Sequence, residues 1–257
     1  MKQMRSLPGT CCLVAFVLCT SLARGQAVDP EPYGGKADLE IFINEELLYP
    51  ANELAQGISG PVNLIFTVNA DGRVSALRIW QSLNAACDAE ALRIGRLVRW
   101  HPATFDGEAR ATEHYLRITF DAKRYARLEK KRTTLRPVIT DGDSLGTLYK
   151  AAELDSLPQP MIISGLRGLP LYLGQRMQYP KDAFARSIEG TVRLEFTVEA
   201  SGNIGNVRAL QSVGGGCTDE ARRLIRTMRW APGLKNGKRV RSVQEVSIVF
   251  KLGTTQR

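Results

Sequence analysis

The sequence predicts an α+β protein of two repeats, each a small antiparallel three-stranded sheet packed with two helices. Two observations lead to this fold class. The chain repeats itself at one fixed spacing, and within each repeat the hydrophobic residues change between helical spacing and strand-like alternation in the same order. A unit of roughly 90 residues can bury a core of its own, so we expect each repeat to fold as a domain.

The repeat becomes visible when the chain is compared with itself at a shift of 130 residues. Between Gly35 to Phe120 and Gly165 to Phe250, 28 of 86 positions are identical without a gap. Identity over this length indicates duplication of one domain. The matched residues include Tyr49-Pro50 with Tyr179-Pro180, Gly60 with Gly190, Gly72 with Gly202, Cys87 with Cys217, Trp100 with Trp230, and Phe120 with Phe250.

Composition divides the chain into four segments. We predict a signal peptide over 1–25, a first domain over 33–123, a linker over 124–160 and a second domain over 161–253. The linker region includes the basic run from Lys123 to Arg132 and is rich in charge, Gly and Pro, which is typical of connecting segments. The basic run is most simply a solvated extension or helix, and docking to an acidic surface is an open alternative.

Each domain should begin with a helix and continue into a hairpin. Helical spacing from Leu39 to Leu48 stops at Pro50. Alternating hydrophobic residues then predict a strand, Asn69-Ala-Asp-Gly72 predicts a turn, and a return strand should run from Val74 to about Ser82. In the second repeat the alternation of apolar residues is interrupted between Ile204 and Val207, which predicts a bulge at Gly205.

A second helix and a final strand complete each domain. Ala221, Leu224, Ile225 and Met228 have helical spacing, and Pro232 should end that helix. Trp100 and Trp230 are expected to close the core between helix and sheet. The final strands are predicted near 113–120 and 243–250 from their alternating hydrophobic residues.

The first residues are typical of a secretory signal. Basic residues at Lys2 and Arg5 precede an apolar run from Cys11 to Cys19, and small residues follow to Ala27. We expect cleavage near Gly25 or Ala27, which would place the mature protein in the periplasm. The alternative is an uncleaved inner-membrane anchor, but even with its flanking residues the apolar run is a segment of roughly 13 residues, which reaches only about 20 Å as a helix against a hydrocarbon core of about 30 Å.

Charge and motifs exclude several functional classes. The formal charge is +9, yet Lys and Arg are interspersed with acidic residues and form no basic cluster of the kind that binds nucleic acid. Gly214-Gly-Gly216 lacks the remainder of a phosphate-binding loop. His101 and His114 have no spacing that suits a metal or a nucleophile pair. We therefore expect no enzyme activity, cofactor, metal or small-molecule substrate.

Cys87 and Cys217 occupy the same position in the two repeats. In an oxidising compartment they could form a disulfide that joins the domains. Alternatively, each packs as a small apolar residue where a loop enters a helix, since free cysteine is among the most buried residue types.

Together these motifs resemble the C-terminal domain of TonB, and the resemblance occurs in both repeats. The ordered set covers most of the chain after the predicted signal peptide. The residues that carry it are Tyr179-Pro180, Glu189 to Gly202, Gln211-Ser212, Cys217 to Ala221, Met228 to Gly233 and Val246 to Phe250, and in the first repeat Tyr49-Pro50, Gly60, Phe66 to Gly72 and Trp100 to Pro102.

The resemblance implies a mode of binding. Proteins of this family transmit the inner-membrane proton-motive force to outer-membrane receptors, and the C-terminal domain binds a short receptor segment, the TonB box. It implies that this segment adds as a strand to the last strand of the domain, near 243–250 or 113–120. The peptide-binding residues expected on this basis are Tyr49, Pro50, Tyr179, Pro180, Val243, Glu245, Val246, Ser247, Ile248, Val249 and Phe250.

The sequence departs from a full energy transducer because neither a persistent transmembrane helix nor a long Pro-rich spacer is evident in it. We therefore expect a periplasmic, non-catalytic protein that binds an outer-membrane TonB-dependent receptor or a related envelope protein. One alternative is an atypical anchored transducer. Another is a structural protein whose last strands pair with each other, within one chain or in a homodimer. If one copy binds, we expect the second, which keeps the family pattern more closely.

Overall fold

The computed structural model describes residues 26–131, 146–162 and 164–252. The predicted signal peptide over 1–25 lies outside these ranges, as does residue 253 of the predicted second domain. Within the described ranges, no helix is both long enough and apolar enough to cross a membrane.

Domain 1 is the first repeat together with the short strands that precede it. Its helices are α1 (Gly35–Glu46), α2 (Ala51–Ala55), α3 (Ala85–Leu97) and α4 (Ala122–Lys131). Its strands are β1 (Ala27–Val28), β2 (Glu31–Pro32), β3 (Gly60–Val68), β4 (Val74–Gln81), β5 (Trp100–His101), β6 (Ala103–Phe105), β7 (Glu108–Arg110) and β8 (Thr112–Phe120).

Domain 2 is the second repeat, and the linker contributes short elements to it. Its helices are α5 (Gly165–Arg176), α6 (Lys181–Ala185) and α7 (Cys217–Arg226). Its strands are β9 (Leu148–Tyr149), β10 (Gln159–Pro160), β11 (Gly190–Val198), β12 (Ile204–Gln211), β13 (Trp230–Ala231), β14 (Gly233–Lys235) and β15 (Lys238–Phe250). A single 3₁₀ turn, Ala151–Glu153, separates β9 from β10.

The same three antiparallel strands form the centre of both domains. Their order is β4-β3-β8 in domain 1 and β12-β11-β15 in domain 2, where β14 extends the sheet. The registers are equivalent, since Gly60 lies opposite Phe120 and Gly190 opposite Phe250. The predicted α+β fold with two repeats is confirmed.

Each domain buries one face of its sheet beneath a long helix. Val192, Leu194, Phe196 and Val198 are fully buried on β11, as the predicted alternation requires. Ala221, Leu224 and Ile225 of α7 pack against them, and Trp230 closes the core. Domain 1 has a separate cluster of the equivalent residues.

Several local features differ from the prediction. Short helices α2 and α6 follow the Tyr-Pro motifs, where the sequence had indicated only an end of helix. The bulge in β12 is present, but the residue that takes the left-handed conformation is Asn206, with φ of 53°, and not Gly205. Asn tolerates that conformation better than most residues. Helix α7 ends at Arg226, where the Thr227 hydroxyl donates to the Leu224 carbonyl at 2.7 Å.

A pair formed by a buried Glu and a more exposed Arg joins the two long helices in each domain. Glu220 accepts from the Gln178 amide and from Arg223, both at 2.7 Å, and Arg223 donates to the Arg176 carbonyl at 3.0 Å. Glu90 and Arg93 make the equivalent contacts in domain 1. The pair therefore satisfies backbone groups at the end of the first helix that would otherwise lack a partner.

Domain 1 packs its helices against the hairpin of domain 2. The first four residues of β12, 204–207, are buried, whereas their counterparts 74–77 in β4 are exposed or half-buried. The Phe42 ring of α1 lies so close to Gly205 that a Cβ there would overlap it. Glycine at this position is therefore required by the domain contact.

Asparagine side chains make the central polar contacts between the domains. Asn206 accepts from the Arg99 amide at 2.7 Å and donates to the Leu97 carbonyl at 3.0 Å. Asn203 donates to the Glu46 carboxylate at 2.7 Å. These contacts satisfy the C-terminal ends of α1 and α3, which point at the hairpin.

Charged groups are also buried at this contact. Arg241 forms an ion pair with Glu199 at 3.0 Å and donates to the Leu97 carbonyl at 2.8 Å. Asp38 and Arg226 form a second ion pair at 2.6 Å. Since an unpaired buried charge is costly, these partners fix the relative position of the domains.

We predict that Gly202→Ala destabilises domain 2 more than Gly237→Ala. Both glycines have positive φ, 83° and 73°, so alanine is strained at either site by about 1 kcal/mol. A Cβ at Gly202 would also overlap the Trp230 carbonyl, whereas nothing lies within 4 Å of one at Gly237. Urea denaturation should show a loss of about 3 kcal/mol for Gly202→Ala. Equal losses would contradict the close approach.

We also predict that Glu199→Gln removes a fall in stability with rising pH. Burial raises the pKa of Glu199 from 4.5 to about 7; Arg241 opposes the shift and Glu46 reinforces it. Folding therefore favours the protonated carboxyl, and its stabilising effect is lost as the pH rises from 4.5 through 7. The full effect is about 3 kcal/mol.

The measurement is the free energy of unfolding at pH 5 and pH 8. Stability of the unchanged protein should fall relative to Glu199→Gln across this range. Burial lowers the pKa of His101 and His114, which gives an opposite trend, but both histidines are present in both proteins and cancel in the difference. The exposed Glu108→Gln serves as control. A difference independent of pH would contradict the prediction.

Candidate functional site

The outer edge of β15 is the candidate site. Residues 190–198 of β11 pair with residues 242–250 along the inner edge. On the other side, β14 pairs with 238–240 and β9 with Arg241 and Ser242. Among the described residues, no strand pairs with the outer edge from Val243 to Phe250. Its outward backbone groups are therefore available to another extended chain.

The side chains of this strand alternate between the core and solvent. Val246, Ile248 and Phe250 are buried in the core of domain 2. Glu245, Ser247 and Val249 are exposed. The expected site residues at the three buried positions can thus offer a ligand only their backbone groups, whereas the exposed three can also offer side chains.

Val243 lies at the start of the free edge. Its side chain is half-buried, and its carbonyl accepts a hydrogen bond of 2.7 Å from the side-chain amide of Gln244. The chain therefore partly satisfies its own edge at this point. An added strand would have to displace or share that contact.

The Tyr-Pro motifs support the far end of the final strands. The Tyr179 hydroxyl donates to the Ile188 carbonyl at 2.7 Å, and its ring packs edge-on against Phe250 with centroids 5.9 Å apart. Pro180 precedes α6 and accepts from the Phe184 amide. Tyr179 and Pro180 therefore position the end of β15.

Tyr49 and Pro50 have the same arrangement in domain 1. The Tyr49 hydroxyl donates to the Ile58 carbonyl, and the ring packs edge-on against Phe120 at 5.4 Å. Burial raises the pKa of Tyr49. The geometry gives both motifs a role in packing.

Strand β9 shows that the outer edge accepts an added strand. Leu148 and Tyr149 of the linker pair with Arg241 and Ser242 in parallel orientation. After Tyr149 the chain turns away into the 3₁₀ turn. The composition of this segment predicted only a linker, although an apolar pair between Gly146 and Lys150 is a weak signal for a short strand.

The equivalent edge of domain 1 has different surroundings. Strand β8 pairs with β3, and no other strand of the described chain pairs with it. Its Tyr115 and the neighbouring Trp80 lie edge to face with centroids 5.4 Å apart and are 52% and 66% exposed. The corresponding residues in domain 2 are Glu245 and Leu210, so the two edges differ in chemistry.

A cleft between the domains opens at the start of the β15 edge. We call it the interdomain cleft. One wall is Val243 to Glu245, a second is the hairpin of domain 1 from Asp71 to Leu77, and the linker from Gly146 to Ala151 forms part of the third. Arg96 and Arg99, near the end of α3, also line it.

Glu195 lies in this cleft between two arginines. It forms ion pairs of 2.9 Å with Arg99 of domain 1 and with Arg208 of its own sheet. Burial alone would raise the pKa of Glu195, but hydrogen bonds and charge from the two arginines lower it. The carboxylate is therefore ionised at neutral pH and ties the domains together beside the edge.

The remaining sequence candidates lie apart from this edge. Cys87 and Cys217 are free, fully buried thiols in the separate cores of the two domains, so the packing alternative describes the structure and the disulfide does not. His101 stacks on Tyr33 and His114 packs against Trp100. In the described part of the chain, no group of His, Cys, Asp or Glu could hold a metal ion.

Comparison with known protein families gives a match in both repeats. The family model for the C-terminal domain of the Gram-negative bacterial TonB protein matches residues 45–122 and 175–252, which together are more than half of the chain. The solution NMR structure of the Pseudomonas aeruginosa TonB C-terminal domain is 26% identical, with a TM-score of 0.29, and the alignment covers 42% of this chain and 98% of that one. Comparison with curated proteins gives no match. The chain belongs to the TonB C-terminal domain family and carries that domain twice in tandem.

Proposed function

We propose that this chain is a periplasmic envelope protein that binds an extended segment of a partner by strand addition to the outer edge of β15. The observation that carries the proposal is the edge from Val243 to Phe250, which no strand of the described ranges pairs with, directly beside the point where β9 already adds in parallel. Backbone hydrogen bonds would supply the grip, and the exposed side chains of Glu245, Ser247 and Val249 would supply modest selectivity.

Family membership supports the class of partner. A TonB-like envelope protein is expected to engage an outer-membrane TonB-dependent receptor or a related envelope protein, through a segment that resembles the TonB box. The secretory pattern of the first residues supports a periplasmic location. The role is non-catalytic, because strand addition requires only main-chain groups and shape.

The contact between the domains bears on the alternative of internal pairing. The domains meet mainly through the helices of domain 1 and the hairpin of domain 2, with Arg241 of β15 also donating to the Leu97 carbonyl. Within the described residues, no strand pairing joins β8 to β15. Within the described residues, this contact between the domains leaves the outer edges of β8 and β15 without a strand from the other domain. It is therefore compatible with peptide binding.

We predict that cysteine at Ser247 forms disulfides with a bound TonB-box peptide in an alternating pattern. A single cysteine is moved through the peptide, and Ser247→Cys is introduced in a chain whose Cys11, Cys12 and Cys19 are serine. Cys87 and Cys217 are buried and should not react. Because side chains of an added strand alternate between faces, every second peptide position should react.

Two matched cysteine variants serve as comparisons for Ser247→Cys. Gln211→Cys lies on β12, at the opposite side of the sheet, and should give no disulfide. Arg117→Cys occupies the position in β8 that corresponds to Ser247 and reports on domain 1. Uniform reaction at all peptide positions, or reaction at Gln211→Cys equal to that at Ser247→Cys, would contradict strand addition at β15.

A further inference from the structure

The interdomain cleft lies at one end of the proposed binding edge. Val243, Gln244 and Glu245 line the cleft and are also the first residues of the free edge. A chain paired along 243–250 would therefore continue into the cleft as it leaves the sheet near Val243. There it would meet the domain 1 hairpin and the linker.

The charges in the cleft are predominantly positive. Six cations and three anions line it, namely Arg73, Arg96, Arg99, Lys150, Arg208 and Arg241 against Asp71, Glu195 and Glu245. Most are already paired within the protein.

Two of the cations that line the cleft form no ion pair within the described residues. Arg99 and Arg208 share Glu195, Arg241 pairs with Glu199, and Arg73 lies 3.5 Å from Asp71. Glu245 is paired with Arg193 at 3.1 Å, outside the cleft. The backbone amide of Lys150 donates to the Glu153 carboxylate at 2.6 Å, which leaves the ammonium group of Lys150 unpaired. Within the described residues, the side chains of Arg96 and Lys150 form no ion pair, and both residues are exposed. They are therefore available to anions of a ligand.

Strand β9 indicates the direction of the bound chain. It runs parallel to β15 and ends opposite Ser242, where the free edge begins. A ligand that continues this parallel pairing has its N-terminal end near Val243 and its C-terminal end near Phe250. Its residues just before the paired part then lie in the cleft, beside Lys150.

We propose that the partner segment carries acidic residues immediately N-terminal to the part that pairs with β15, and that Arg96 and Lys150 bind them in the interdomain cleft. This inference rests on the proposed strand addition. It assigns domain 1 a part in binding at the domain 2 edge, because Arg96 comes from α3 and Lys150 from the linker.

Three peptides test the inference by calorimetry with the full chain. Each contains the same TonB-box segment. The first carries a short run of Asp and Glu before the segment, the second carries the same run after it, and the third carries Asn and Gln before it. We expect the first to bind about fivefold more tightly than the others at low salt, which corresponds to two exposed ion pairs. Added salt should reduce the advantage.

Charge-reversal variants locate the effect. Arg96→Glu with Lys150→Glu should abolish the advantage of the first peptide over the third. Lys123→Glu with Lys130→Glu on α4 changes the net charge equally away from the cleft and should retain the advantage. Thermal unfolding checks that both variants fold, and the comparison of peptides on the unchanged protein stands without them.

The outcomes separate the two proposals. Equal binding of all three peptides would overturn the cleft inference and leave strand addition intact. Tighter binding of the second peptide would overturn the parallel direction and with it the inference. Failure of every peptide to bind would contradict the proposed function itself.

Discussion

The pairing between β11 and β15 is the constraint on which the rest of the structure depends. Nine residues of each strand pair in register, and this pairing uses the inner edge of β15 from Ser242 to Phe250. Its buried side chains form the floor of the core beneath α7, and Tyr179 fixes the end at Phe250. Since the inner edge is occupied, only the outer edge can receive a partner. The proposed function follows from that restriction.

The two domains share a fold but are not interchangeable. Three of the domain 2 residues that contact domain 1 are Gly205, Asn206 and Arg241, and their counterparts in domain 1 are Ser75, Ala76 and Ala111. A head-to-tail contact of this kind would propagate into a filament if both copies kept the same residues. The divergence removes the asparagine and arginine contacts from domain 1. The packing therefore stops at two domains and leaves the domain 1 hairpin to line the cleft.

The sequence predicts the helices, strands and core positions, but it does not predict contacts between residues that are far apart in the chain. Alternation in β11 and helical spacing in α7 identify the core, because period and burial are properties of neighbouring residues. Glu220 and Arg223 look like an ordinary surface pair at i, i+3, and only the fold shows that they bind the end of α5. The pairing of β9 with Arg241 joins residues far apart in the chain, so no local pattern could predict it. For the candidate site, the strand was predicted, but the cleft and the contribution of domain 1 were not.

Hydrogen exchange of the β15 amides in the unliganded full chain tests the central claim most directly. Amides that bond to β11 are protected by the fold, whereas those directed to the outer edge between Val243 and Phe250 have no strand partner in the part of the chain that the structure describes. The account predicts protection that alternates along the strand, with fast exchange at every second residue. Uniformly slow exchange from Val243 to Phe250 would show that the outer edge is already occupied and would contradict it.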